Sequence, residues 1–172
     1  MAASLRQTKS PLQLPAGEQL YIGIDVGKTT HVAAFVSTTL RERAGKYEKC
    51  PTLKFGNNLQ GFETLLAHIT SYTAVENCQI VVEPTGHYHR VLEQYVIQHG
   101  ITLYMQHVHK RPDRLIKSDT QDAIGLARHL YQQEHLGVDT GMESKKARQV
   151  DIRITAAIQL VTWTRRRTDL LA

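Results

Sequence analysis

Long apolar runs are missing from this sequence. No stretch approaches the roughly 18 consecutive apolar residues that a membrane-spanning helix needs, and Met1 to Gln19 holds no apolar stretch of signal-peptide length. The expectation is a cytoplasmic protein with no membrane partner. Cysteine is scarce as well, with Cys50 and Cys78 the only two. They share no close spacing, which excludes a disulfide framework and a cysteine-rich zinc module, and both thiols are expected to be reduced. Internal repeats and low-complexity tracts are also absent, so neither a solenoid nor a disordered tail protein is in view. A hydrophobic fraction of 41% across 172 residues is enough for one folded domain with a short extension.

Charge of one sign is not strongly in excess. The formal net charge is +5, from 21 Lys and Arg against 16 Asp and Glu. The basic surplus lies mostly in residues 101–172. That suits a nucleic-acid partner, but charge alone does not identify one.

Patterning divides the chain. Residues 1–19 read as a flexible tail rich in Ser, Pro, Gln and Ala. Leu20 to Val26 and His31 to Ser37 read as two strands joined by the turn Gly27-Lys28-Thr29-Thr30, with a third strand within Tyr47 to Phe55. Gly61 to Tyr72 carries Phe62, Leu65, Leu66 and Ile69 at helical spacing. Gln79 to Glu83 is a short buried strand. His87 to Gln98 is a helix with Leu92, Tyr95 and Val96 inward, ended by Gly100. Ile101 to Met105 is a further strand, and Lys110 to Lys117 is a basic loop. Ser118 is the expected N-cap of a helix reaching about Gln133, which Gly137 to Gly141 ends. From Glu143 to Ala172 the pattern reads as one long helix with an apolar stripe of Ile154, Ala157, Ile158, Val161 and Leu170. The sum is an α/β domain over residues 20–136 with a mixed sheet flanked by helices, followed by a C-terminal helical extension over 143–172.

Four carboxylates stand at structural breaks in this pattern. Asp25 closes the first apolar strand and Glu83 closes the strand before Pro84. Asp119 and Asp122 share one face of the first turn of a helix. Three of them have an ordinary reading: Asp25 as a cap on the Gly27 turn, and the pair as partners of a helix dipole worth about 0.3–1 kcal/mol each; Glu83, at a strand end before a new helix, is harder to dismiss. Together, carboxylates at strand ends and a helix start are the usual way to hold Mg²⁺ for phosphodiester chemistry, with Mn²⁺ as a substitute. Lys28 and Lys117 flank the set.

Other motifs carry less. Gly23-Ile24-Asp25-Val26-Gly27-Lys28-Thr29 looks like a phosphate-binding P-loop, but three residues separate its glycines where four are required. The same segment is similar to the first phosphate loop of sugar kinases and actin-like ATPases, yet a second phosphate loop and an adenosine loop are missing. His87 and His89, and His107 and His109, form two His-x-His pairs without a third ligand at zinc spacing. His31 could reach the carboxylates from the second strand, but its commoner reading is a surface histidine.

The blocks Gly23-Ile24-Asp25-Val26-Gly27-Lys28, Val82-Glu83-Pro84-Thr85-Gly86-His87-Tyr88 and Lys117-Ser118-Asp119-Thr120-Gln121-Asp122-Ala123 resemble the N-terminal domain of DEDD transposases. These are insertion-sequence recombinases with a fold like the Holliday-junction resolvase RuvC, and relatives of Piv-type DNA invertases. The resemblance implies a ribonuclease-H-like, RuvC-like domain in which Asp25, Glu83, Asp119 and Asp122 bind divalent metal. It implies DNA as substrate, a structured guide RNA, and a homo-oligomer, dimer or tetramer, built through the C-terminal helix. It also implies a C-terminal serine domain, which no residue here matches and which is expected to be absent. Lys28, Thr29, Lys110, Arg111, Arg114 and Lys117 are the expected nucleic-acid contacts. Alternatives of other kinds stay open: a stand-alone Mg²⁺-dependent, structure-selective endonuclease of the junction-resolvase type, an inactive nucleic-acid-binding module, and an actin-like phosphotransferase fragment.

Overall fold

Leu20–Asp25 forms β1, in the middle of the sheet. Its run of Leu, Tyr and Ile, with Gly23 between, is buried on both faces up to Asp25. The computed structural model describes residues 12–84, 86–106 and 118–138, and the backbone of 148 and 149. After β1 come β2 (Thr30–Val36), α1 (Thr38–Ala44), β3 (Thr52–Gly56), α2 (Leu59–Tyr72), β4 (Cys78–Val82), α3 (Arg90–Gln98), β5 (Thr102–Met105), α4 (Asp119–Glu134) and β6 (Arg148–Gln149). The six strands lie in the order β3-β2-β1-β4-β5-β6. β1 pairs antiparallel with β2 and β2 antiparallel with β3, whereas β1, β4 and β5 run parallel and β6 returns antiparallel. This is the expected α/β mixed sheet of ribonuclease-H-like topology. Among the described residues no helix is long and apolar enough to cross a membrane.

Strand alternation sorts the core into two layers. Leu20, Ile22, Ile24, Ala33, Phe35, Ile80, Val82 and Leu103 face one side. There they meet Phe62, Leu65 and Ile69 of α2 and Leu92 and Val96 of α3. Tyr21, Val32, Ala34, Val36 and Val81 face the other side, against Ala123, Ile124, Leu126, Ala127, Leu130 and Tyr131 of α4. Burying one such Leu, Ile or Phe side chain contributes about 1.5–3 kcal/mol, so two interleaved layers hold the helices firmly to the sheet.

α4 lies mainly on β1 and β2, and its approach depends on Gly23. A Cβ placed there would run into the Ala123 carbonyl and the Ala127 amide of α4. Only glycine lets the helix backbone rest on the strand backbone at this point.

Several elements differ from the sequence expectation. α1 was not expected. Ser37 caps it by accepting the Leu40 N–H at 3.2 Å, and the Gly45 N–H closes it on the Arg41 carbonyl at 2.9 Å. Tyr47–Lys49 is a 3-10 turn, so the third strand begins only at Thr52. α3 begins at Arg90, because residues 86–89 form a turn that starts with Gly86 at φ +58°. Its end at Gly100 (φ +73°) is as expected. The helix expected over 143–172 does not hold at Arg148–Gln149, which form strand β6, paired with Tyr104 and Met105 of β5. Pairing to the otherwise open edge of β5 overrides helical periodicity there, and it carries the sheet beyond residue 136. The remainder of 143–172, and the basic loop 110–117, lie outside the described residues.

Candidate metal and nucleic-acid site

The site is assembled by register. β1 and β4 are parallel neighbours with Ile24 opposite Val82, so Asp25 and Glu83 are the next positions on adjacent strands. β4 and β5 pair Val82 with Met105, and the ladder runs one bond further, the Gln106 N–H donating to the Val82 carbonyl at 3.0 Å. Asp25, Glu83 and Gln106 therefore form one row across the carboxyl ends of three parallel strands. That end of an α/β sheet is where ligands bind. By alternation the row shares the face of Tyr21, Gly23 and Val81, the face that α4 covers.

α4 brings the other two carboxylates to that end. Tyr131 sits edge-on to Tyr21 with ring centroids 5.5 Å apart, and Ala123 and Ala127 rest on Gly23. The helix thus runs antiparallel to β1, and its first turn points toward Asp25. Asp122 and Asp119 precede the Gly23 crossing by about 4–9 Å of helix rise, while Asp25 lies about 7 Å beyond Gly23 along the strand. Those levels match. Asp25, Glu83 and Asp122 are half-buried and Asp119 is exposed. Ser118 holds the N-cap position, but its side chain makes no capping bond; its carbonyl accepts the Asp122 N–H at 3.0 Å.

The loops after β1 and β4 are tied together. The Asn57 amide donates to the Lys28 carbonyl at 3.1 Å and to the Tyr88 carbonyl at 3.4 Å, and the Asn57 N–H donates to the Thr29 carbonyl at 2.9 Å. Lys28 and Thr29 are consequently exposed in a held turn directly after Asp25. Lys110, Arg111, Arg114 and Lys117 fall outside the described residues.

His31 is not the surface histidine expected. It is fully buried, stacked on Phe62 and edge-on to Phe55. Its position in β2 has the parity of Ala33 and Phe35, which puts it on the sheet face opposite Asp25. Nδ1 accepts the Gly27 N–H at 3.2 Å, which requires the neutral ring with the proton on Nε2. Burial pushes its pKa below the ordinary value, with the Asn57 side chain acting weakly the other way. Nε2 itself has no hydrogen-bond partner among the described residues. His31 therefore fixes the turn after Asp25 from beneath and does not join the acidic site. His87 and His89 lie in the turn before α3, so the strand geometry that would aim both at one metal does not arise; the His89 Nε2 is 3.9 Å from a Glu93 carboxylate oxygen. His107 and His109 are outside the described residues.

Among the described residues no three His, Cys, Asp or Glu side chains are gathered closely enough to hold a metal ion. The backbone brings the four carboxylates to one end of the sheet, although no three of them are gathered around one point. The donor chemistry nevertheless fits a hard divalent cation, being oxygen only and anionic. One further observation agrees with it. Gln106 is 3% exposed, and its Oε1 has no hydrogen-bond partner among the described residues. A buried acceptor left unpaired costs about 1–3 kcal/mol, so it is an unusual residue to find beside Glu83. Sequence reasoning missed Gln106 and Asn57. Gln106 had a readable signal: like Glu83, it is the polar residue that closes a short apolar strand.

Comparison with known proteins gives the family. The pilin gene-inverting proteins of Moraxella bovis and Moraxella lacunata are each 32% identical to the chain over 116 residues, which is 63% of this chain and 33% of each relative. The chain thus spans about a third of the length of the curated relatives it matches. Residues 22–172 match the sequence model of the DEDD_Tnp_IS110 family, whose description is transposase. That match covers both strand-end carboxylates and the α4 pair, and the chain belongs to the DEDD_Tnp_IS110 transposase family.

Proposed function

We propose that this chain is a metal-dependent DNA-processing domain of a transposase, acting in the movement of an insertion element in the cytoplasm. One observation carries the reading: three segments far apart in sequence deliver their carboxylates to the same end of the sheet, two through parallel strand register and one through the α4 crossing at Gly23. Asp25, Glu83, Asp119 and Asp122 would hold Mg²⁺, with Mn²⁺ as a substitute. When bound, such an ion polarises the scissile phosphate and neutralises charge on the leaving oxygen.

The chain's own groups do the positioning. Asp25 and Glu83 are held by the rigid centre of the sheet, and Asp119 and Asp122 by a helix pinned to β1. Lys28 and Thr29, in the turn held by Asn57, meet the DNA backbone next to the carboxylates. Lys110, Arg111, Arg114 and Lys117 supply further backbone contacts with DNA and with a structured guide RNA. The guide follows from the family resemblance, as do a serine on a further domain that takes up the DNA end and an oligomer formed through residues 143–172.

The direct test is a titration of Mg²⁺ and Mn²⁺ into the chain and into Asp25→Ala/Asp119→Ala, followed by thermal unfolding. An ion at about 100 times its dissociation constant adds roughly 2.7 kcal/mol, which raises the melting temperature by about 5–10 °C for a chain of this size. The variant is expected to show no rise. An unresponsive wild-type chain, or an equal rise in the variant, overturns the reading.

A further inference from the structure

We propose that Gln106 supplies a fifth oxygen to the cation held at the acidic site. The inference rests on the metal reading above and adds to the carboxylate set a neutral ligand from a third strand. Three observations carry it. The Gln106 N–H extends the β4–β5 ladder to the Val82 carbonyl, which places the residue in register with Glu83 on the neighbouring strand. Strand alternation puts it on the same face as Glu83 and Asp25, the face toward which the first turn of α4 points. Its side chain is 97% buried by its 3% exposure, and Oε1 finds no donor among the described residues.

A buried amide oxygen without a donor calls for a proton donor or a cation. The row it occupies offers a carboxylate on the next strand and another on the strand after that, and ionised carboxylates are acceptors only. An amide oxygen placed in a row of acceptors is complemented by a cation among them. Divalent Mg²⁺ and Mn²⁺ accept such carbonyl oxygens readily. A glutamine also adds an oxygen without adding a fifth negative charge to the four at that end of the sheet.

Mn²⁺ binding to the full chain, measured by calorimetry, tests the proposal with Gln106→Leu, Gln106→Glu and Asp25→Ala. Gln106→Leu keeps the volume and removes the oxygen. It is expected to weaken Mn²⁺ binding at least threefold while leaving metal-free unfolding at or above the wild-type midpoint. Gln106→Glu keeps an oxygen at the same reach and adds charge, so binding is expected to tighten at least threefold. If Asp25→Ala abolishes binding while both Gln106 variants bind as wild type does, the Gln106 assignment falls and the acidic site stands. If the wild-type chain binds no Mn²⁺, both fall. Should Gln106→Leu fail to fold, Gln106→Glu alone decides, and unchanged affinity in it refutes the assignment.

Discussion

Three histidines sit where burial holds the ring below its ordinary pKa of 6.5: His31, His68 and His129. Each takes up a proton more readily in the unfolded chain than in the folded one. Their contribution to stability is therefore full above about pH 6.5 and is lost as the pH falls through the lowered folded values. Urea unfolding at pH 7.5, 6.5 and 5.5 is expected to show a falling midpoint. His68→Leu is expected to reduce that fall without loss at pH 7.5, since His68 lies between Phe35 and Tyr72 with its Nε2 unpartnered among the described residues. At this scale the sequence was legible in part. The four carboxylates stand out because charge at the end of an apolar run is unusual. His31 was misread because a single histidine after a turn carries no mark of burial; its parity with Ala33 and Phe35 was the available clue. Gln106 closes its strand as Glu83 does, but it is neutral, and its place beside Glu83 shows only once β5 is known to lie beside β4.

The joint between α4 and β1 is the element on which the site depends. Gly23→Ala would press a methyl group into the backbone of α4, at the Ala123 carbonyl and the Ala127 amide. Overpacking in a core usually costs about 1–3 kcal/mol, and here no flexible side chain can yield. A loss of at least about 3 kcal/mol is expected in urea unfolding, together with a weakened thermal response to Mg²⁺, because α4 carries Asp119 and Asp122. The helices with a clear stripe were readable in advance. Phe62, Leu65 and Ile69 mark α2, and Leu92 and Val96 mark α3, all now buried. α1 was not readable: it has seven residues and buries only Leu40, too short for a period to show. Arg148–Gln149 was read as helix because two residues of edge strand are specified by the partner they pair with and not by their own pattern.

Across the whole molecule, nucleic-acid affinity is expected to rest on the basic residues that the sequence places between Gln106 and Ser118. Neutralising Lys110, Arg111 and Arg114 together should flatten the dependence of DNA binding on salt, by about 0.9 in logarithmic slope for each duplex phosphate contact removed. Filter binding between 50 and 200 mM salt, roughly the range over which such contacts are exposed, measures it; an unchanged slope removes the loop from the interface. The sheet order was the least legible feature at this scale. Hairpins follow from neighbouring strands and turns, but nothing in the local pattern pairs β1 with β4.

The same non-local pairing sets an order of assembly. β1, β2 and β3 are consecutive antiparallel strands and can pair as soon as they leave the ribosome. β4 must then find β1 across an intervening strand pair and two helices, and α4 must find Gly23 from about a hundred residues further along the chain. Contacts of that separation form late. A nascent chain therefore carries Asp25 alone, then Asp25 beside Glu83, and receives Asp119 and Asp122 only when the last described helix docks. The acidic end is complete only once α4 has docked on Gly23, so a partly made or partly unfolded chain holds the pieces of the site without their arrangement.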